Sequence, residues 1–259
     1  SLYLFFLPIY HTLYFAHVTL SSIITVMRAI GYHLFYWTVS IVCVTTHFLV
    51  GCLCLFTPHP MRYNRAASRL FIRIIVWSMG INITITGQDD IPTNTPCIFM
   101  ANHTSLLDIL VMACAIPIHF NFIAKKELIW APLIGIDLIM AGDFLIDRSN
   151  PRKAKACLDK VAKRLQQGGS VLIFPEGTRS QNGDLLPFKR GAFKLAKKSG
   201  ASVVPCYIHG TSSIVKKKSL LASKGNVQLS FAHPISSQNI DVDTLHSATY
   251  QAIEGMQKR

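Results

Sequence analysis

Charge of either sign is almost absent from the start of the chain. Positions 1–61 of the 259 residues contain one charged side chain, Arg28, and no acid, whereas all the other Lys and Arg and all 13 Asp and Glu follow. An uncharged stretch of this length is typical of a membrane segment rather than of a helical hairpin buried in a soluble core. Residues 2–26 and 30–56 are each long enough to cross a hydrocarbon core of about 30 Å, and we expect a turn between them at Arg28 and Gly31.

The basic start of a secretory signal is also missing, since the chain begins Ser-Leu-Tyr-Leu. A cleaved leader would in addition have a shorter apolar core and a small-residue cleavage site. We therefore interpret residues 1–57 as a membrane anchor of one or two helices. It either crosses the bilayer or lies as a shallow hairpin in one leaflet.

No CxxC pair occurs among the seven cysteines, and most of them lie in apolar runs. This pattern indicates buried free thiols in a reducing compartment rather than disulfides, a metal site or a catalytic thiol. Zinc-finger spacing, the aromatic signature of RNA-binding strands and a basic zipper are missing too. The net charge of +13 therefore points to anionic lipid, a phosphorylated substrate or an acidic carrier as the partner, and not to nucleic acid.

The common nucleophile and phosphate-loop motifs are absent as well. The chain contains no GxSxG, no HExxH and no GxxxxGK[ST]. A serine-triad hydrolase, a zinc protease of that class and a P-loop enzyme therefore lack their usual residues.

A basic stripe follows the apolar region. Within the stretch MRYNRAASRLFIRIIVW, arginines recur at three- and four-residue spacing, and Leu70, Ile74 and Trp77 fall on the other face of a predicted helix. We expect residues 58–80 to form an amphipathic helix in an anionic membrane surface, with an ordinary solvated face as the alternative. By the positive-inside tendency, these arginines keep the following domain in the cytoplasm. The arginines are Arg62, Arg65, Arg69 and Arg73.

Strand-like and helix-like stretches alternate from Ile81 to the end. The strand candidates are INITITG, CIFMA, FNFIA, FLI, VLIF, VVPCYI and VQLSF. Helices are predicted from Pro151, with Asn150 as N-cap and an end at Gly168, and from Arg190 to Ser199. This order predicts that residues 81–259 form one α/β domain with a largely parallel or mixed central sheet flanked by helices, whose ligands gather at the carboxyl ends of strands.

The stretch NHTSLLD follows the strand candidate CIFMA directly. With Ser105 as N-cap, Asp108 takes the third helical position, so that His103 lies in the loop and the two side chains meet. A carboxylate that holds one imidazole nitrogen leaves the other free to accept a proton. The alternative is a helix-capping Asp108 beside an ordinary loop histidine. Because no enzyme nucleophile accompanies the pair, the substrate's own hydroxyl is the expected nucleophile.

The stretch FPEGTRS follows the strand candidate VLIF. Arg179 can bind a phosphate bidentately, Gly177 lets backbone N–H groups approach an oxyanion, and Thr178 can donate a hydrogen bond. Glu176 is expected to bind the polar part of an acceptor or to hold Arg179. The alternative is a turn with an internal Glu–Arg pair.

Two further strand candidates end in charged residues. FNFIA is followed by Lys125 and Lys126, and FLI is followed by Asp147 and Arg148. Each end taken alone is typical of a solvated loop. Together with Arg179 they predict a cationic pocket, provided that the strand ends converge.

Five stretches follow one another along the chain: NHTSLLD, AKKELIWAPLIG, LIDR, FPEGTRS with LLPFKRGAFKLA, and VVPCYI. In order and spacing they resemble the blocks of the 1-acylglycerol-3-phosphate acyltransferase (lysophosphatidic acid acyltransferase) family. The resemblance covers residues 31–235. It implies transfer of a fatty acyl chain from acyl-CoA or acyl carrier protein to the sn-2 hydroxyl of lysophosphatidic acid, which gives phosphatidic acid. It also implies a membrane location, with the catalytic domain facing the cytoplasm of a bacterial inner membrane and in contact with its phospholipids.

The resemblance assigns roles residue by residue. His103 matches the catalytic base and Asp108 its partner, while Glu176, Gly177, Thr178 and Arg179 match the glycerophosphate-binding block. Lys125 or Lys126 matches a lysine that holds phosphate. No metal and no bound cofactor is implied.

Two alternatives remain open at the level of the sequence. The same blocks occur in acyltransferases whose acceptor is glycerol 3-phosphate, another lysophospholipid or a lyso-ornithine lipid. The other alternative is a non-catalytic membrane protein that binds lipid, against which the intact His103 and Asp108 argue.

Overall fold

The computed structural model describes the backbone of residues 3–54, 56–57, 60–130, 135, 138–139, 141–215 and 221–258, and the side chains of these residues except 3–21 and 60–62. The helices are α1 (Tyr3–Cys54), α2 (Pro60–Ser78), α3 (Leu107–Ala115), α4 (Pro151–Gln166), α5 (Arg190–Ser199), α6 (Thr211–Ile214) and α7 (Val242–Gln257). The strands are β1 (Ile81–Thr86), β2 (Cys97–Ala101), β3 (Phe120–Lys125), β4 (Phe144–Ile146), β5 (Ser170–Ile173), β6 (Ser202–His209) and β7 (Gly225–Phe231).

The seven strands form one mixed sheet in the order β1-β7-β6-β2-β5-β3-β4. The five strands from β6 to β4 run parallel, and β7 with β1 runs antiparallel to them. The predicted α/β domain with a mixed sheet is therefore confirmed. Since the five parallel strands end at one edge, which we call the carboxyl edge, the loops that follow them lie side by side.

The core has two layers, one on each face of the sheet. Phe99 belongs to the layer that α2 and α3 cover, and its neighbours Ile98 and Met100 belong to the layer covered by α4, α5 and α7. All three side chains are fully buried, as expected for a central parallel strand with helices on both faces. The central strand therefore holds the residues that follow it in a fixed position.

Helix α1 is continuous at the position where we predicted a turn between two helices. Arg28 and Gly31 lie within one continuous helix from Tyr3 to Cys54, so the predicted turn is wrong. One glycine costs a helix only about 1 kcal/mol, and a lone arginine does not interrupt it. Ser22–Cys54 is apolar and long enough to cross a membrane by length and composition, whereas the side chains of most of the first predicted span lie outside the described residues.

Two arginines of the basic stripe of α2 bind the α/β domain, whereas Arg73 is exposed. Arg65 donates to the Ala141 carbonyl over 2.9 Å, and Arg69 donates to the Ile118 carbonyl over 2.9 Å. The side chains of Leu70 and Trp77 are 57% and 70% exposed instead. Helical periodicity in the sequence does not reveal which face of α2 packs on the α/β domain. Here the guanidinium groups of Arg65 and Arg69 bind carbonyl oxygens of the segments that precede β4 and β3. The side chain of Arg62 lies outside the described residues.

Candidate active site

The loop after β2 carries the central residues of the site. Asn102 is buried and uses both ends of its amide, since Nδ2 donates to the Ile208 carbonyl and Oδ1 accepts from the Ile208 N–H. These two bonds of 2.9 and 2.7 Å tie the end of β2 to the end of β6. His103 follows from this fixed point, so its position depends on the sheet rather than on a free loop.

His103 and Asp108 meet as predicted. Nδ1 of His103 lies 2.8 Å from Oδ2 of Asp108, and Asp108 is fully buried while the imidazole is 14% exposed. Oδ2 also accepts the backbone N–H groups of Thr104 and Ser105 over 2.7 and 2.8 Å. Because backbone N–H groups only donate, Oδ2 acts as an acceptor and Nδ1 carries the hydrogen. Nε2 then keeps its lone pair and is able to accept a proton.

The start of α3 differs by one residue from the prediction. Its N-cap is Leu106 rather than Ser105, and Asp108 lies in the first turn. The capping bonds of Ser105 are nevertheless formed, since its hydroxyl accepts the Leu107 N–H over a distance of 3.3 Å and its own N–H donates to the Asp108 carboxylate. An anion in the first turn also interacts favourably with the helix dipole. The capping function of Asp108 and its contact with His103 are therefore two parts of one arrangement.

The loop after β5 packs directly on His103. The Phe174 ring stacks on the imidazole, with the ring centroids 4.1 Å apart and the planes 15° from parallel. The Ser180 N–H donates to the His103 carbonyl over 2.8 Å, and the His103 N–H donates to Oε1 of Glu176 over 2.9 Å. The two predicted site loops thus form one unit at the carboxyl edge.

The Glu176 side chain accepts the His103 N–H and so joins these two loops, and it does not bind Arg179. Its side chain is only 3% exposed, and Oε2 has no hydrogen bond of ordinary geometry in the described part of the chain. Burial raises the pKa of Glu176 from 4.5 to about 7, while the N–H groups of His103 and Leu186 lower it and the charge of Asp108 raises it. Of the two predicted roles, holding Arg179 is therefore wrong, and the turn with an internal Glu–Arg pair is not formed.

Replacement of Glu176 by Gln is expected to change how the stability depends on pH. Because the folded pKa is about 7 and the ordinary value is 4.5, the folded state binds more protons than the unfolded chain between these values. The contribution of Glu176 is fully present below the lower value and is lost as the pH rises through the upper one. Glutamine does not ionise, and its amide oxygen can still accept from the His103 N–H.

We expect Glu176→Gln to gain roughly 2 kcal/mol of unfolding free energy relative to the unchanged protein between pH 5 and pH 8. Unfolding of both proteins in the same detergent, followed across this pH range, measures the difference. A difference that does not vary with pH would show that Glu176 titrates normally.

Cationic side chains surround Gly177. The residue has a φ of +71°, and a Cβ there would lie 2.9 Å from both Cε and Nζ of Lys189, so the lysine crosses the space that a side chain would need. The Arg148 guanidinium donates to the Gly177 carbonyl. The loops after β4 and β5 therefore converge, as the cationic pocket requires.

Arg179 lies two residues after Gly177 in the same loop and is half-buried. Within the described residues, its guanidinium has neither an acidic partner nor a hydrogen-bond acceptor, and the same holds for the ammonium of Lys189. Thr178 is exposed next to it. A half-buried guanidinium without an anion is poised to bind one.

The two predicted lysines differ in their surroundings. Nζ of Lys126 lies 2.6 Å from Oδ2 of Asp147, and the other carboxylate oxygen, Oδ1, accepts from the hydroxyl and the N–H of Ser149. The hydrogen bond to Asp147 raises the pKa of Lys126, and Lys126 and Ser149 hold the pKa of Asp147 below its usual range. Lys125 lies at the end of β3, with its ammonium 3.5 Å from the Glu127 carboxylate. Both lysines thus lie at the carboxyl edge, and each has a carboxylate neighbour.

Sequence reasoning missed three residues of this arrangement. Phe174, Lys189 and Thr211 contact the predicted site residues. Thr211 follows β6, whose carboxyl end lies beside that of β2. The rule that ligands gather at the carboxyl ends of parallel strands also applies to the strand candidate VVPCYI, and it indicates the loop that contains Thr211. The same rule indicates Phe174, which directly follows β5, whereas Lys189 lies in the stretch LLPFKRGAFKLA without a strand before it.

The cysteines lie apart from this chemistry. Each of the seven is a free thiol. Burial raises the pKa of Cys97 to about 11 and that of Cys206 well above its usual value. A thiol that stays protonated is a poor nucleophile.

Comparison with known proteins places this arrangement in a family. The profile of the family described as Acyltransferase matches residues 82–209. The chain is 37% identical over 175 residues to the 1-acyl-sn-glycerol-3-phosphate acyltransferase of Cocos nucifera, covering 67% of this chain and 56% of that one. It is 33% identical over 183 residues to the enzyme of that name from Borreliella burgdorferi, covering 71% of this chain and 70% of that one.

A solved structure has the same fold. The crystal structure of the 1-acyl-sn-glycerophosphate (LPA) acyltransferase of Thermotoga maritima matches with a TM-score of 0.77 and 22% sequence identity, over 90% of this chain and 98% of that one. The chain spans little more than half the length of the Cocos nucifera relative. The resemblance drawn from the motifs is confirmed, since the Borreliella burgdorferi match alone covers more than two thirds of both chains at 33% identity. The chain belongs to the 1-acyl-sn-glycerol-3-phosphate acyltransferase family.

Proposed function

We propose that the protein transfers a fatty acyl chain from an acyl thioester to the sn-2 hydroxyl of 1-acyl-glycerol-3-phosphate and thereby forms phosphatidic acid. The observation that carries the proposal is the His103–Asp108 pair in one loop unit with Arg179, where neither Nε2 of His103 nor the Arg179 guanidinium has a partner among the described residues. The relatives named for this reaction support the choice of acceptor. A base beside an anion-binding group matches an acceptor with one hydroxyl and one phosphate.

His103 acts as the general base. Nε2 takes the proton of the acceptor hydroxyl, and the oxygen attacks the thioester carbonyl to form a tetrahedral intermediate. The carbon–sulfur bond then breaks, and the thiolate recovers the proton from the imidazolium. Asp108 keeps the imidazole in the tautomer with hydrogen on Nδ1 and stabilises the imidazolium while it exists.

The cations around Gly177 bind the acceptor's phosphate. Arg179 offers a planar pair of donors to two phosphate oxygens, and Lys189 adds a point charge. Arg148 is already bonded to the Gly177 carbonyl and orients the loop. Fixing the phosphate at one end places the hydroxyl, rather than water, beside Nε2.

The acyl donor is either acyl-CoA or acyl carrier protein, and both present the same thioester to Nε2. We place the enzyme at a membrane through the apolar helix that ends at Cys54, with the α/β domain on the cytoplasmic side, as in a bacterial inner membrane. The exposed Leu70 and Trp77 on α2 add apolar surface, and the Trp77 ring lies edge-on to Phe35 of α1. Protease protection of the domain in sealed vesicles of known orientation tests this placement.

A thioester-consumption assay with a panel of acceptors tests the proposed reaction. The panel contains 1-acyl-glycerol-3-phosphate, glycerol 3-phosphate, another lysophospholipid and a lyso-ornithine lipid. We expect the first to give the highest kcat/KM, and preference for another would reassign the acceptor. No turnover with any of them would identify a lipid-binding protein instead.

Lys189→Met is expected to raise KM for the phosphorylated acceptor about tenfold while leaving kcat nearly unchanged, since one charge-assisted contact is worth about 1.5 kcal/mol. Lys194→Met is the matched control, because Lys194 lies exposed on the adjoining helix α5. Steady-state kinetics at varied acceptor concentration measure both variants. If the two variants behave alike, Lys189 does not contact the phosphate.

A further inference from the structure

Thr211 adds a third side chain to the His103–Asp108 pair. It is fully buried, and its hydroxyl donates to Oδ1 of Asp108, the carboxylate oxygen that His103 does not use. The Thr104 hydroxyl lies 3.0 Å from the Thr211 oxygen. Thr211 gives its single proton to the carboxylate, so Thr104 is the donor in this second contact. A chain of hydrogen bonds therefore runs from Thr104 through Thr211 and Asp108 to His103.

The backbone places Thr211 with little freedom. Gly210, which precedes it, has a φ of +94°, and a Cβ there would lie 2.4 Å from the Asn226 carbonyl oxygen. Only glycine therefore permits the turn at the end of β6 to lie this close to β7. At the other end of α6, the Ser105 hydroxyl donates to the Val215 carbonyl over 3.1 Å. The segment that carries Thr211 is thus fastened to the loop that carries His103.

We propose that Thr211 is a positioning residue, which sets the orientation of the Asp108 carboxylate and, through it, that of the His103 imidazole. This inference rests on the proposed acyl transfer. The two carboxylate oxygens have separate tasks, since Oδ2 receives the imidazole and two amides, and Thr211 is the donor to Oδ1 in the described part of the chain. Rotation about the terminal torsion of an aspartate is soft, so a bond to Oδ1 fixes the plane in which Oδ2 meets Nδ1.

Loss of the hydroxyl leaves a buried carboxylate oxygen without its donor. The carboxylate then turns or admits water, and the imidazole loses the fixed direction that proton transfer requires. Thr211 is fully buried, and its hydroxyl contacts Asp108 and Thr104, so we expect substrate binding to stay unchanged. The expected result of Thr211→Val is a fall in kcat of about 10- to 100-fold with KM for both substrates within about twofold.

Thr249→Val is the matched control. Thr249 is also fully buried, and its hydroxyl donates to the Leu245 carbonyl within α7, on the other face of the sheet. Thr249→Val removes a buried hydroxyl just as Thr211→Val does. If the loss of a buried hydroxyl weakens the fold in general, the melting temperature falls in both variants. Only Thr211→Val is expected to lower kcat in the folded protein.

Thr211→Ser and Thr211→Ala keep the test decisive if Thr211→Val does not fold. Both lack the methyl group, and they differ only in the hydroxyl. We expect Ser to retain most of kcat and Ala to fall at least about tenfold below it. Equal kcat in Ser and Ala, or full kcat in folded Thr211→Val, overturns the inference. If the unchanged protein turns over no acceptor, the proposed function fails instead, and the inference falls with it.

Discussion

His103→Ala is expected to lower kcat/KM for acyl transfer by at least about 10³-fold, because general base catalysis and the proton return to the thiolate both use the same imidazole. Asp108 keeps its two amide bonds and the bond from Thr211 without the ring, so the loop and α3 remain in place. We therefore expect normal expression, membrane association and thermal unfolding. Release of free thiol and formation of diacylated lipid by the purified variant are the measurements.

His233→Ala is the matched control for this result. The side chain of His233 is 87% exposed and lies near Asp90, away from the loops of the carboxyl edge. The control is expected to keep full activity. Turnover by His103→Ala within tenfold of the control would mean that another group takes the proton, and the assignment of the base would be wrong.

Arg179→Ala is expected to lower kcat/KM for phosphorylated acceptors by about 10²-fold and to change little for the corresponding acceptor without phosphate. A bidentate charge-assisted contact contributes about 3 kcal/mol, which corresponds to this factor, and the contact exists only when the acceptor has the phosphate. The measurement compares 1-acyl-glycerol-3-phosphate with 1-acyl-glycerol carrying the same acyl chain. In the variant, the ratio of kcat/KM for the acceptor with phosphate to kcat/KM for the acceptor without it is expected to fall towards one.

The control for Arg179 is Arg152→Ala, since Arg152 is exposed in the first turn of α4 and loses the same charge from the protein. It separates a local contact from the general attraction of a cationic surface. Equal losses for both acceptors in Arg179→Ala would mean that the residue supports the loop rather than the phosphate. Equal losses in both variants would attribute the effect to net charge.

The contact between His103 and Asp108, which the sequence predicts correctly, depends on interactions between residues that are close in the chain. His103 and Asp108 are five positions apart, and the tendency of a carboxylate to bind amides in the first turn of a helix is enough to bring them together. The same holds for α4, where Asn150 accepts from the Lys153 N–H as a cap and Pro151 opens the helix. Alternation of apolar and polar residues in INITITG and short apolar runs elsewhere likewise located the strands of the sheet that the structure describes.

The parts that sequence reasoning missed depend on long-range contacts. Thr211 is 103 positions from Asp108, and Lys189 meets Gly177 only because α5 starts beside the loop after β5. The direction of the α2 arginines has the same origin, since helical periodicity defines two faces without saying which one meets the domain. Closeness in sequence made Arg179 one of two predicted partners of Glu176, whereas the fold directs Glu176 to the His103 N–H.

The most direct test of the account offers the purified protein two acceptors at once. Equal amounts of 1-acyl-glycerol-3-phosphate and 1-acyl-glycerol with the same chain are mixed in one micelle with acyl-CoA, and in a second experiment with acyl carrier protein. Mass spectrometry then quantifies phosphatidic acid and diacylglycerol against the thiol released. The account predicts phosphatidic acid in equal amount to the thiol, with little diacylglycerol. Equal amounts of both lipids, or thiol release without either, would contradict it.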